Sequence, residues 1–230
     1  MMEQADYFAN HARARQFPWT LYHAPLERDL ARFLNDVPSG DVAGSPRDGS
    51  AAEGRRGVVD VLVVGCGLLH ELDAAPPGLR YTVVDIDERA VEAVCSLRDP
   101  RIREARVVPP ETPIDVSLGA GKFAAIYAKE VVEHVLAWPV WLAGLRRALV
   151  PGGRLWLSTP NYGEPWLPAV ESTILELIAR RSGFSRRHIH PTRFSRDSLA
   201  RGVRAAGFAD VSAHVTPTRL AITVWARAPH

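Results

Sequence analysis

Val58-Val59-Asp60-Val61-Leu62-Val63-Val64 runs without interruption into Gly65-Cys66-Gly67. A run dominated by β-branched side chains and closed by two glycines reads as a buried strand, residues 58–64, ending in a tight turn. A strand buried on both faces belongs to a parallel sheet with helices on either side. The same texture continues downstream. Strand-like runs at 80–84, 105–108, 123–128 and 153–158 alternate with helical stretches at Glu88–Leu97 and Val140–Leu149. Helices that are polar along one side pack against such a sheet as right-handed crossovers. Val211–Thr216 and Leu220–Ala228 flank Pro217-Thr218-Arg219 and predict an antiparallel hairpin that closes one sheet edge. The fold class expected is α/β.

Upstream of the first strand the composition changes. Residues 37–57 concentrate glycine, proline, serine and charge with no apolar period, and read as a flexible linker. Before them, Leu26, Leu30, Phe33 and Leu34 fall at helical spacing behind Pro25, a residue suited to a first helical turn. Residues 1–36 are therefore expected to form a helical cap, and 58–230 the main domain. The aromatic segment Phe17-Pro18-Trp19-Thr20-Leu21-Tyr22 either anchors that cap or covers a ligand.

The 230 residues suit one domain, and 47% hydrophobic with 23% charged residues excludes whole-chain disorder. Lys+Arg number 28 against 26 Asp+Glu, a net +2, which supplies no global field for nucleic acid. Cys66 and Cys95 do not form a metal-ligand spacing or a disulfide framework. Met1-Met2-Glu3-Gln4-Ala5-Asp6 lacks the basic start and apolar stretch of a secretory signal, and no apolar run reaches bilayer-spanning length. The expectation is a cytoplasmic protein without a membrane segment.

Gly65 and Gly67 let the backbone turn tightly and present N–H groups to a ligand. The second strand ends Tyr81-Thr82-Val83-Val84-Asp85. An acid about 20 residues after the glycines can accept hydrogen bonds from both ribose hydroxyls of an adenosyl cofactor. Asp85 is the candidate for that role; Asp87 is the better cap for the helix that follows.

Downstream, Glu130, Glu133 and His134 stand at i, i+3 and i+4, so a helix starting there would place all three on one face. Two carboxylates and an imidazole suit Mg²⁺, Mn²⁺ or Fe²⁺ better than a soft metal. A further ligand is available in Arg186-Arg187-His188-Ile189-His190-Pro191, where His190 is favoured over His188 because it lies nearer a helix expected to begin at Ser195. His134, His190 and Glu130 are the candidate catalytic residues, with either imidazole able to take a proton.

Together, Val61–Gly67, Val84-Asp85-Ile86-Asp87, Glu130-Val131-Val132-Glu133-His134-Val135 and Leu149-Val150-Pro151-Gly152-Gly153-Arg154-Leu155-Trp156-Leu157-Ser158-Thr159-Pro160-Asn161 resemble a class I S-adenosylmethionine (SAM)-dependent methyltransferase. The similarity spans roughly residues 57–228 and looks most like the ubiquinone-biosynthesis type O-methyltransferases. It implies a Rossmann-like seven-stranded sheet in the order 3-2-1-4-5-7-6 and SAM as cofactor. Under that resemblance Gly65, Cys66, Gly67, Asp85, Ile86, Glu111, Lys129 and Glu130 line the cofactor. The chain departs from the pattern at Val63, where the family carries an acid, at Leu69, where it carries a third glycine, and at Ala124. The stretch Val108-Pro109-Pro110-Glu111 replaces the usual adenine contact. The set Glu130, Glu133, His134 and His190 also resembles the metal site of small-RNA 3′-terminal 2′-O-methyltransferases.

Residues 162–193 form a long insertion with Trp166, an apolar helical stretch and arginines 180, 181, 186, 187 and 193. Trp166, Arg186, Arg187 and His188 are the candidate substrate contacts, the guanidinium groups matching a carboxylate or phosphate. The reading favoured is a small-molecule O- or N-methyltransferase. The alternatives are an RNA 3′-terminal ribose 2′-O-methyltransferase and a non-catalytic SAM-fold binding module. Interleaved aromatics for base stacking are missing, so nucleic acid is not the expected partner. The sequence is silent on oligomeric state.

Overall fold

A computed structural model of the chain describes residues 16–17, 19–37, 58–109, 111–165 and 190–230. Its centre is a sheet of seven strands: β1 (Val59–Val64), β2 (Leu79–Asp85), β3 (Ile102–Val107), β4 (Phe123–Lys129), β5 (Leu149–Pro160), β6 (Ala209–Val215) and β7 (Ala221–Arg227). They lie in the order β3-β2-β1-β4-β5-β7-β6, as expected. Pairings among β3, β2, β1, β4 and β5 are parallel, while β7 runs antiparallel to both β5 and β6. Five α-helices are described: α1 (Thr20–Asp36), α2 (Glu88–Ser96), α3 (Ile114–Leu118), α4 (Trp138–Ala148) and α5 (Arg196–Ala205).

Alternation along the strands divides the core into two layers. Leu62, Val64, Ile126, Leu155 and Leu157 point to the side covered by α3, α4 and α5. Val61, Val63, Tyr81, Val83, Tyr127 and Trp156 point to the other side, where Leu30, Phe33 and Leu34 of α1 and Ala90 and Val94 of α2 meet them. The caps are local. Asp87 accepts the N–H of Arg89 at 3.0 Å to open α2, and Ser195 with Ser198 forms a reciprocal capping box that opens α5.

Several boundaries differ from the sequence expectation. Pro25 lies inside α1 instead of opening it, because the helix starts at Thr20. The additional turn carries Tyr22, whose hydroxyl is engaged by the main domain. Strand β5 starts at Leu149, ahead of the expected 153, and takes in Pro151-Gly152-Gly153. A register shift between Phe123 and Ala125 lets Gly152, at φ +73°, bulge without ending the strand. Strand β3 starts at Ile102, ahead of the expected 105, with Arg103, Glu104 and Arg106 on an edge whose charges hide the strand pattern. Among the described residues, no helix is long and apolar enough to cross a membrane. Most of the expected linker lies outside the described residues; Val37, at its start, is buried behind α1.

In register, Val64 of β1 pairs with Val84 of β2 on one side and Ala128 of β4 on the other. The carboxyl ends of the three strands therefore emerge together. From β1 the chain crosses to β2 and β3, then returns to β4 on β1's other flank. The crevice at that reversal is where open α/β sheets bind ligands.

Candidate active site

At the end of β1 the backbone enters the left-handed region at Gly65 (φ +72°) and again at Gly67 (φ +50°). A Cβ on Gly65 would come 2.3 Å from Cγ2 of Val131, so both the turn and the space demand glycine. Leu69 holds φ +51° where the family pattern has a further glycine. The backbone shape survives the substitution, and the Leu69 side chain, 2% exposed, is buried in the core beneath the loop.

Asp85 ties this loop to β2. Its Oδ2 accepts the N–H of Gly67 at 3.1 Å, and its Oδ1 accepts that of Asp87 at 3.0 Å. Oδ2 also accepts from the Cys66 thiol at 3.6 Å, a weak donor that a hydroxyl could displace, and Oδ1 keeps a second lone pair. The acid is thus fixed in place with acceptor capacity left for a diol. Ile86 beside it is 60% exposed, an apolar surface next to that acceptor. This donor set fits an adenosyl group. Cys66 is buried, and burial, followed by the charge of Asp85, pushes its thiol well above the ordinary range. Burial and the neighbouring carboxylate thus both disfavour a thiolate at Cys66.

Lys129 ends β4, and its Nζ donates to Oε2 of Glu71 at 3.0 Å. Glu71 lies on a 3-10 turn, His70–Ala74, just after the glycine loop. Burial raises its carboxyl, but the charge and hydrogen bond of Lys129 outweigh that and hold it below the usual carboxylate range.

Across the switch point stand the residues of the E-x-x-E-H stretch. They do not share a helical face. Glu130 takes φ +59°, and only Val132–His134 form a short 3-10 turn. The left-handed backbone breaks the helical path at 130, and the N–H of Glu130 donates to Oγ of Ser158 in the neighbouring β5 at 3.1 Å. Ser158 Oγ in turn donates to Glu130 Oε1 at 2.8 Å, and the Tyr22 hydroxyl of α1 donates to Oε2. Burial pushes the Glu130 carboxyl up to about 7; the two hydroxyl donors and Lys129 pull against that shift.

Glu133 is 1% exposed, and its Oε2 accepts from Thr159 Oγ1 at 3.1 Å. Its Oε1 is 3.9 Å from Nε2 of His134. The His134 and His190 rings lie 4.9 Å apart, centroid to centroid. Glu133, His134 and His190 can each offer one ligand atom, all within 4.8 Å of one another. The strap bearing His190 is pinned by the Thr192 N–H, which donates to Glu133 O at 3.2 Å, and by a hydrogen bond between the Tyr162 hydroxyl and His190 Nδ1. Arg193 lies 5.2 Å over the Tyr162 ring, a cation–π contact that steadies it.

Three of the four candidate ligands are therefore brought together, and Glu130 is held apart by Tyr22 and Ser158. Glu111 is exposed in the turn after β3. Trp166, Arg186, Arg187 and His188 lie outside the described residues. Sequence reasoning missed Tyr22, Glu71, Ser158 and Tyr162. The aromatic cluster at 17–22 was a signal for Tyr22, and the acid following the glycine loop was one for Glu71.

The methyltransferase domain family matches residues 5–213. The chain belongs to that family. No curated protein gives a significant sequence match. Solved structures do resemble this methyltransferase-domain chain. The complex of the Haloferax volcanii Trm112 methyltransferase activator with a methyltransferase aligns with TM-score 0.67 at 17% identity, over 99% of this chain and all of that one. The CurJ carbon methyltransferase aligns at 0.65 and 16% over 96% of this chain, which spans 58% of CurJ. An S-adenosylmethionine-dependent methyltransferase from Mesorhizobium loti aligns at 0.53 and 13%, over 74% of this chain and 91% of that one. At such identities the likeness speaks for the fold, which is that of the SAM-dependent methyltransferases.

Proposed function

We propose that the chain is an enzyme that moves the methyl group of SAM onto an oxygen or nitrogen nucleophile of a small molecule. One observation carries the reading. Asp85, fixed to the glycine loop by the Gly67 N–H, shares a strand-end crevice with the Glu133–His134–His190 group across the topological switch. A nucleoside acceptor and a proton-handling group thus stand at neighbouring strand ends.

SAM supplies an activated methyl group when bound. The work left to the chain is alignment and exclusion of water. Asp85 and the loop N–H groups would hold the nucleoside. Tyr22 of α1 meets this edge of the sheet through its bond to Glu130. His134 or His190 would take the proton of an acceptor hydroxyl, an imidazole being suited to do so near neutral pH. With Glu130 held apart, the two imidazoles and one carboxylate of Glu133, His134 and His190 fit Fe²⁺ or Mn²⁺ better than Mg²⁺, and such an ion would lower the pKa of that hydroxyl.

Mass spectrometry of the purified protein should find SAM or S-adenosylhomocysteine, and calorimetry should show SAM binding. A nicotinamide in their place, or no binding at all, overturns the reading. Chelation should lower turnover, with recovery on adding Mn²⁺ or Fe²⁺. Turnover indifferent to chelation removes the cation from the proposal and leaves the methyl transfer standing.

A further inference from the structure

The ion pair of Glu71 and Lys129 is not explained by the fold. Side-chain exposures of 7% for Glu71 and 14% for Lys129 place both charges largely out of water, an arrangement that seldom gains stability over apolar packing. Its position is specific. Because Val64 pairs with Ala128, Lys129 stands abreast of Gly65, the first residue of the glycine loop. Alternation puts Lys129 on the same sheet face as Tyr127 and Val63. Val63 gives the end of β1 no acid there. Glu71 supplies one from the turn that follows the loop, close enough for its charge to act on Cys66.

β1 and its glycine loop lie between the ends of β2 and β4, so a ligand held at Asp85 by its ribose and laid along this loop would bring its other end to Lys129. For an adenosyl amino acid that end is a zwitterion, one ammonium and one carboxylate. A carboxylate and an ammonium side by side form its electrical complement, neutral in sum and therefore without a net field that would favour a singly charged ligand. We propose that Glu71 and Lys129 form the subsite for the amino-acid end of the cofactor, Glu71 receiving its ammonium and Lys129 its carboxylate. This rests on the SAM reading above.

The test is calorimetry with two ligands alike at the nucleoside and at a neutral sulfur. S-adenosylhomocysteine carries the amino-acid end, and 5′-methylthioadenosine lacks it. The wild-type protein should prefer the first by at least about tenfold. Glu71→Gln and Lys129→Met should each weaken S-adenosylhomocysteine by about tenfold or more, and leave 5′-methylthioadenosine within about twofold. Lys129→Arg, which keeps the charge, should recover most of the preference. Unchanged 5′-methylthioadenosine binding reports that a variant is folded. Where a single variant does not fold, the doubly neutral Glu71→Gln/Lys129→Met protein gives the same readout. A parallel loss for both ligands, or no loss for either, makes the pair structural and overturns the subsite. If the wild-type protein binds both ligands equally, the subsite falls while the nucleoside pocket stands. If it binds neither ligand, the cofactor reading fails and takes the subsite with it.

Discussion

The two halves of the strand-end crevice are built by different means. On the β1–β2 side the geometry comes from backbone. Two glycines at positive φ and one acid bonded to loop N–H groups make a cradle from residues 65–87. On the β4–β5 side it comes from side chains far apart in sequence. Tyr22 reaches Glu130, Thr159 reaches Glu133, and Tyr162 reaches His190. A local cradle tolerates little change in shape but does not need the rest of the chain. A gathered cluster can be retuned one side chain at a time, which would suit it to the acceptor in the function proposed above.

That contrast is open to test, beginning where the effect should be greatest. Gly65→Ala sets a Cβ against Val131 at positive φ and should cost about 3 kcal/mol, seen as a lower denaturation midpoint. It should abolish cofactor binding as well. His134→Ala should leave cofactor affinity within about twofold while lowering turnover by about 100-fold. A matching loss of affinity would erase the division between the halves.

Glu130 gives a pH signature. Its carboxyl rises from 4.5 to about 7 in the folded protein. Between those values the folded state keeps a proton that the unfolded chain has released, so stability falls as pH increases through the window and the full cost is felt above 7. Glu130→Gln has no charge to bury. Relative to wild type it should gain about 2 kcal/mol between pH 5 and pH 8 in urea titrations. An equal slope in both proteins would mean that Glu130 is not buried as described. The smallest effect expected is that of Tyr22→Phe, about 1 kcal/mol from one hydrogen bond, with the Glu130 titration moving further upward because a donor to its charged form is gone.

What could be read from sequence follows the same division. The strand from 59 to 64, the glycine pair, Asp85, the Asp87 cap and the Ser195 cap were legible because each depends on neighbours a few residues away. The strand order was implied by the resemblance to SAM-dependent methyltransferases that the collinear motifs carry, and the terminal hairpin agreed with it. Glu130 was misplaced on a helical face because spacing alone cannot reveal the left-handed turn that the backbone takes there, beside Ser158 of an adjacent strand. The full extent of α1 was hidden for a similar reason, since Pro25 marks a start by local rules. The Glu71–Lys129 pair joins positions 58 residues apart and leaves no periodic trace.

Asp29 of α1 accepts two indole N–H groups on a single oxygen, from Trp156 of β5 at 2.9 Å and Trp225 of β7 at 3.0 Å. The carboxylate thereby becomes a reporter as well as a clamp. Of the six tryptophans in the chain, Trp156 is wholly enclosed and shares its anchor with Trp225. Lifting the N-terminal helix would expose both rings to water at once, so the protein's ultraviolet emission should redden before the sheet melts. The chain carries its own optical gauge of whether the N-terminal helix is seated on the sheet.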